Sequence, residues 1–328
     1  MAKDRLKNDL SPRQLWVAAV TAGLSPAAAL AGGSRWHWLL LWCGAGILLA
    51  WLLRKRLGGR PLNRAENVAC ALLGVLYAAR ALGRSARRLE VTSGGAGQEV
   101  WLLLLLTAAL VWLCLGGRGR FFRGAEVLWL AMAAVTAAVL LLALPRLEWR
   151  LVLPRGDGWL DSALAAGEVL APAALTLPYI YNARPAEAGR RWPGWLWALA
   201  GLAAALSLVT RGLLGAAAEQ VEGPFFVAAG LLGRSARLEG LLSALWLMSD
   251  LTWAGLACQS WGWGRLPAVG AAAAAALCLT GLPALLPEFF WPAGSLFLLL
   301  LAALLPAGEE NSGPPPTGKQ DVVVLKKP

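Results

Sequence analysis

The chain has 328 residues, of which 58% are hydrophobic, and its mean hydropathy is +0.58. This composition excludes an ordinary soluble globular domain. The formal net charge is +11, but the basic residues lie in short clusters between apolar runs. That arrangement is typical of a membrane protein and argues against binding of nucleic acid.

Ten apolar segments approach the length of about 20 residues that a membrane-spanning helix needs. They cover residues 14–31, 36–53, 66–84, 100–116, 125–145, 159–181, 195–215, 240–262, 267–283 and 289–306. The sequence therefore predicts an all-α, multi-pass membrane protein with a ten-helix transmembrane domain at 14–306. We expect residues 1–13 to form a cytoplasmic segment and residues 307–328 a disordered cytoplasmic tail.

The distribution of charge predicts the orientation in the membrane. Most of the 30 basic residues lie on the side of the N-terminus when the ten spans are threaded in order. By the positive-inside rule, both termini are then cytoplasmic. Residues 1–31 also have features of a cleavable signal peptide, but we favour a retained first span.

Spans 1 and 6 contain residues that disfavour a continuous helix. Span 1 has Gly23-Leu24-Ser25-Pro26, and span 6 has Gly167-Glu168 followed by Pro172. Membranes tolerate helix breaks where the freed N–H and C=O groups line a cavity or bind a ligand. The pattern predicts two inverted five-helix halves with broken helices 1 and 6, and the alternative is a pair of kinked, packed helices.

Candidate ligand-binding residues lie near the middle of four spans: Gly23, Ser25, Pro26, Tyr77, Gly167, Glu168 and Asp250. Free N–H groups near Gly23 and Ser25 suit a carboxylate, and Glu168 suits an ammonium group, so a small amino acid can bridge them.

Each of these side chains also has a simpler interpretation. Glu168 can carry a coupled proton or pair with an arginine such as Arg80. Asp250 can form a second polar wall or a helix-packing hydrogen bond, and Tyr77 can cover a ligand or fill the core. We expect Arg84, Arg87, Arg88 and Arg211 to extend toward the outer interface.

Other chemistry has little support in the sequence. The five cysteines lie within apolar runs and form no Cys-x-x-Cys pair, so neither a disulfide framework nor a zinc site is predicted. The single histidine, His37, lies between Trp36 and Trp38, which is typical of an aromatic anchor at the membrane interface. Glycine-rich stretches lack the Walker spacing. We therefore expect no enzyme, no catalytic residues, no metal and no cofactor.

Several short motifs resemble those of the spore germination permeases, the B subunits of nutrient germinant receptors within the amino acid–polyamine–organocation superfamily. These motifs are Ser11-Pro12-Arg13-Gln14-Leu15-Trp16, the Gly- and Arg-rich stretch 116–126, Leu144-Pro145-Arg146 and Glu222-Gly223-Pro224. The resemblance covers residues 9–306. Glu168 departs from it, because the family more often has a small or aromatic residue there.

The resemblance implies a ten-helix inverted-repeat fold, recognition of an amino-acid-type germinant, and assembly with A- and C-type receptor subunits in the inner spore membrane. Two alternatives stay open. One is a proton-coupled amino-acid transporter of the same fold in the plasma membrane, and the other is a membrane subunit that only assembles a complex. In each case membrane lipid surrounds the protein.

Overall fold

The computed structural model describes residues 11–57, 64–93, 97–154, 156–175, 192–221, 223–232, 236–259, 266–294 and 296. This part of the chain contains helices and turns but no strand, which confirms the predicted all-α class. The helices are α1 (Pro12–Ala29), α2 (Trp36–Leu57), α3 (Arg64–Ser93), α4 (Glu99–Leu115), α5 (Arg118–Ala143), α6 (Trp149–Val152), α7 (Trp159–Leu175), α8 (Trp192–Leu214), α9 (Pro224–Leu232), α10 (Ala236–Gln259), α11 (Leu266–Leu279) and α12 (Leu282–Leu285).

The helices occupy the places where the apolar runs predict spans. α1 to α5, α7, α8, α10 and α11 overlap the first nine predicted spans, although α5 begins earlier than expected, at Arg118. Only residues 289–294 and 296 of the tenth span are described, and 290–294 form a helical turn. Residues 1–10 and the predicted tail at 307–328 lie outside the described residues.

Length and hydropathy support a membrane location. Three helices of the described chain are long and apolar enough to cross a membrane: Asn67–Val91, Arg118–Arg146 and Gly194–Glu219. The outward face of α5 carries Val127, Leu130 and Leu141, each exposed by 66% or more. Large apolar side chains on the outside suit a hydrocarbon environment, where they cost nothing to expose.

α1 forms the centre of the helix bundle. Every residue from Leu15 to Ala28 is buried, and the helix contacts α5, α7, α8 and α10. Ser11 caps its start: the Ser11 hydroxyl oxygen accepts a hydrogen bond from the Gln14 backbone N–H, while the Gln14 side chain accepts one from the Ser11 N–H. This reciprocal cap satisfies two backbone donors and fixes the start of the helix.

The predicted breaks in the first and sixth spans are wrong. α1 continues through Pro26 to Ala29, and α7 continues through Pro172 to Leu175. A proline in a helix removes the one hydrogen bond that its N–H would have donated, and the neighbouring turns can stay helical. Past Pro26, the Leu30 N–H still donates to the Pro26 carbonyl at 3.0 Å, so the helical ladder is maintained.

The glycines in these spans permit close packing between helices. A Cβ atom on Gly23 would lie 2.7 Å from Leu199 Cδ2 of α8 and 3.0 Å from the Val169 carbonyl oxygen of α7. A Cβ atom on Gly167 would overlap the ring of Pro292. Small residues let helices approach closely in membrane proteins. The carboxylate cradle that a break at Gly23 and Ser25 would provide is therefore not formed.

Candidate functional site

A row of arginines on α3 faces two carboxylates on neighbouring helices. Arg80, Arg84 and Arg88 are four residues apart, so they share one face of the helix. This face meets Glu168 of α7 and Asp250 of α10. We call these five side chains the charge ladder, because cationic and anionic groups alternate in contact along it.

The contacts of the charge ladder run from one end of the row to the other. Arg80 donates a hydrogen bond to Glu168 within an ion pair. Arg84 lies between the two carboxylates, 3.7 Å from Glu168 Oε2 and 3.5 Å from Asp250 Oδ1. Arg88 Nη1 lies 3.0 Å from Asp250 Oδ2. Arg84 therefore links the Glu168 pair to the Asp250 pair.

The carboxylates of the ladder are removed from solvent. Glu168 is 7% exposed and Asp250 only 1% exposed. A charged side chain at the centre of a membrane helix costs about 3 kcal/mol on insertion scales, and such residues pair with one another or line cavities. Glu168 thus pairs with Arg80, as one of the alternatives from the sequence has it, and a role toward a ligand or a proton stays a prediction.

Asp250 also connects the ladder to the central helix. It accepts a hydrogen bond from the Ser25 hydroxyl of α1. Two further bonds join α10 to α1 nearby: the Ser249 hydroxyl donates to the Thr21 carbonyl, and the Trp246 indole N–H donates to the Leu24 carbonyl at 3.2 Å. Asp250 thus forms the helix-packing hydrogen bond that the sequence offers as one alternative, with Ser25 as its partner. Its role as a wall of a ligand site stays a prediction.

An aromatic cluster packs around Arg80, at one end of the charge ladder. Tyr77 is 3% exposed, donates its hydroxyl hydrogen to the Trp291 carbonyl, and packs against the rings of Trp253 and Trp291. The guanidinium carbon of Arg80 lies 4.4 Å from the centre of the Trp291 ring. This cation–π contact and the Glu168 ion pair hold Arg80 in place, and Tyr77 is a core residue.

A cavity of about 530 Å³ opens beside the arginine row, between α3, the start of α4, the end of α11, α12 and the turn after α12. Binding sites for small molecules commonly have volumes of this order. Its lining combines charged and apolar residues: Ala79, Arg80, Gly83, Arg84, Arg87, Glu99, Cys278, Gly281, Pro283, Ala284, Leu286 and Glu288. Both Arg80 and Arg84 thus belong to the cavity wall as well as to the charge ladder.

The predicted outward extension of the arginines is wrong for three of the four. Arg84 and Arg88 turn to Asp250, as described above. Arg211 is 4% exposed and donates hydrogen bonds to the Gly32 carbonyl at 3.0 Å and to Glu219 at 2.7 Å. Arg87 is exposed, and its Nε lies 4.0 Å from Glu99. For Arg84, Arg88 and Arg211, the hydrogen bonds and ion pairs with carbonyl and carboxylate groups of the protein outweigh the free energy that the guanidinium groups would gain from hydration at the membrane interface.

The structure brings together only some of the residues that the sequence selects. Ser25, Glu168 and Asp250 meet through the arginines, Tyr77 lies beside them, and Gly23, Pro26 and Gly167 serve helix packing. The four-residue spacing of the arginines was a usable signal for the ladder. No such signal marks Glu99 and Glu288 in the sequence, because Glu99 lies in the first turn of α4 and Glu288 in the turn after α12. Among the described residues, no group of three histidine, cysteine, aspartate or glutamate side chains is arranged to hold a metal ion.

Comparison with models of known protein families and with curated proteins finds no match. The resemblance to spore germination permeases therefore stays a prediction from the motifs.

Proposed function

We propose that this chain is a multi-pass membrane protein of the amino-acid-permease type that binds a small amino-acid-type ligand, as the spore germination permeases that it resembles do. The observation that carries this proposal is the charge ladder, with five ionisable side chains where α3, α7 and α10 meet. Two of its arginines open onto a cavity large enough for a small molecule.

The helix contacts support a fold of two inverted five-helix halves. In such a fold α1, α2, α3 and α4 correspond to α7, α8, α10 and α11. If the halves are related by inversion, a contact of α1 with α8 has as its counterpart a contact of α2 with α7. Both contacts occur. In the same way, the contact of α3 with α11 has as its counterpart the contact of α4 with α10, and both of these occur. The match is partial, because α1 packs extensively against α10, whereas the corresponding helices α3 and α7 do not pack to a similar extent within the described residues. Inverted repeats place ligand sites between the halves.

Stability alone does not account for the charge ladder. Buried ion pairs often contribute no more to stability than well-packed apolar residues of similar volume. Ionisable residues within membrane spans are typically part of a ligand, ion or proton pathway. A chain that only assembled a complex would have no need for five such groups at its centre. We infer that they serve a ligand carrying both charges.

Proton-coupled transport is a second candidate for the same site. One observation favours it: Glu168 contacts both Arg80 and Arg84, which line the cavity. Protonation of Glu168 would weaken both contacts and free the arginines for a ligand carboxylate. As a receptor subunit, the chain would instead work with A- and C-type partners and move no net substrate.

Calorimetry on the purified chain in lipid nanodiscs tests the proposal. The ligands are a panel of L-amino acids, each matched with the amine that lacks its carboxylate and the acid that lacks its ammonium group. We expect saturable binding of at least one amino acid and none of its two truncated forms. Absence of binding across the whole panel would overturn the proposal.

A flux assay in liposomes separates the two candidates. If the protein is a transporter, the bound amino acid enters the liposomes together with protons, and Glu168→Gln abolishes the proton movement. If it is a receptor subunit, the same amino acid binds in nanodiscs but does not accumulate in liposomes.

A further inference from the structure

The charges around the cavity are arranged by depth. Arg80 and Arg84 lie inside, with side chains only 23% and 19% exposed. At the mouth lie Arg87 and Glu99, with side chains 55% and 48% exposed, together with the exposed Glu288. The wall between them is small and apolar. The cavity is therefore cationic at depth and carries both carboxylates at its entrance.

Arg84 has donor capacity that the protein does not use. Its two ion-pair distances, 3.7 Å and 3.5 Å, are long for charge-assisted hydrogen bonds, which are commonly about 2.7–2.9 Å. Its Nε is buried and donates no hydrogen bond within the described part of the chain. A guanidinium group binds a carboxylate through two parallel N–H groups. Because Nε is buried, the donors for a carboxylate in the cavity would be Nη1 and Nη2, whose contacts with Glu168 and Asp250 are long.

Glu288 offers a counterpart for an ammonium group. It is exposed at the mouth of the cavity, and it lies close enough to Arg80 and Glu168 to interact with both electrostatically. Glu99 is on the opposite helix at the same entrance. An amino acid with its carboxylate at depth would have its ammonium group directed to this pair of carboxylates.

We propose that this cavity, rather than the middle of α1 and α7, is the ligand site. It takes a zwitterionic amino acid with the carboxylate inward on Arg84 and the ammonium group outward near Glu288. This inference rests on the proposed function and specifies its substrate class and orientation. The apolar wall of Ala79, Gly83 and Leu286 selects a small or aliphatic side chain.

Cys278 supplies a native reporter inside the cavity. It lines the wall and is partly exposed, whereas Cys43, Cys70, Cys114 and Cys258 are buried. Its sulfur lies 3.0 Å from the position that a Cβ on Gly83 would take, one residue from Arg84. A methanethiosulfonate reagent forms a disulfide with this thiolate and releases methanesulfinate. The labelling rate therefore reports the local potential and the occupancy of the site.

The experiment compares labelling by the anionic sulfonatoethyl reagent and the cationic trimethylammonioethyl reagent, each relative to a free thiol. We expect the anionic reagent to be favoured several-fold, because three arginines and only two carboxylates line the cavity and an excess of one charge raises the local concentration of its counter-ion. Arg87→Gln should reduce this preference, and Arg84→Gln should reduce it more strongly. Arg123→Gln, an exposed arginine on α5, should leave it unchanged, and Cys278→Ala should abolish labelling.

Protection then tests the ligand. The amino acid that binds in calorimetry should slow labelling of Cys278 at least fivefold at saturation. Glu288→Gln should weaken its binding about tenfold while increasing the preference for the anionic reagent. The inference would be overturned if the two reagents labelled Cys278 at equal relative rates both in the wild type and in Arg87→Gln. It would also be overturned if a saturating concentration of the amino acid did not slow the labelling. In that event, binding of an amino acid in calorimetry would still support the proposed function. Absence of any binding in calorimetry would instead contradict the proposed function, while leaving the measured charge preference of Cys278 labelling as it is.

Discussion

Asp250 is the most deeply buried carboxylate of the charge ladder and contacts two arginines. Asp250→Asn would leave Arg84 and Arg88 facing a neutral amide in an apolar surrounding. Breaking a buried pair by removing one partner costs about 3–5 kcal/mol, so we expect a clear fall in the thermal unfolding temperature of the protein in nanodiscs.

Asp157→Asn is the matched control for this change. Asp157 also pairs with an arginine, Arg35, but its side chain is 57% exposed. The Asp157 carboxylate is half-exposed, and Glu219 remains 3.8 Å from Arg35 as a second acceptor. The loss should therefore be close to the roughly 0–1 kcal/mol of surface pairs, and this variant should unfold near the wild-type temperature. Similar destabilisation by the two substitutions would show that burial of the Asp250 pairs does not matter.

Glu168 and Arg80 form the inner pair of the ladder, and their mutual dependence is measurable. Glu168→Gln removes the ion-pair partner of Arg80, while Arg80→Gln leaves Glu168 buried without its hydrogen-bond donor. We expect each single substitution to destabilise the protein and the double substitution to cost less than their sum, since residues in contact couple by about 0.5–3 kcal/mol. Additive losses in thermal unfolding would contradict a direct pair.

At the level of helices, Gly167 permits the contact of α7 with the segment around Pro292. Gly167→Ala would place a methyl group in the volume of the proline ring. Overpacking of a close contact costs about 1–3 kcal/mol, so the yield of monodisperse protein and the unfolding temperature should both fall.

The control for this substitution lies on α8. A Cβ atom on Gly201 would meet no other atom within 4 Å. Because alanine is the better helix former by about 1 kcal/mol, Gly201→Ala should leave the unfolding temperature unchanged or raise it. If Gly167→Ala behaved in the same way, the close approach of α7 to Pro292 would be wrong.

At the level of the whole molecule, orientation decides which side of the membrane the cavity faces. With both termini in the cytoplasm, α3 ends and α4 begins on the outer side, so Arg87 and Glu99 at the cavity mouth face outward. A membrane-impermeant sulfonatoethyl reagent should then label Cys278 in intact cells, while tags at residues 2 and 328 stay inaccessible from outside. Labelling of Cys278 only in inverted vesicles, or of either tag in intact cells, would reverse the orientation.

The sequence by itself determined the helical class, the places of the helices and the identity of the buried carboxylates. These are local properties, because the length of an apolar run sets the length of a helix and a charge within such a run is visible without the fold. Glu168 and Asp250 were selected on this ground alone. The arginine spacing on α3 was equally local, but it carried no information on the direction in which that face turns.

The tertiary structure alone decided which groups meet. The pairing of Arg84 with Glu168 and Asp250 joins three helices, and it depends on how each helix is rotated about its axis and on the angles at which they cross. The same holds for Pro26 and Pro172, whose helices stay continuous when neighbouring helices pack around them. The cavity depends most on the tertiary structure, because its wall is assembled from α3, the start of α4, the end of α11, α12 and the turn after α12. No single segment contains enough of the wall to be recognised.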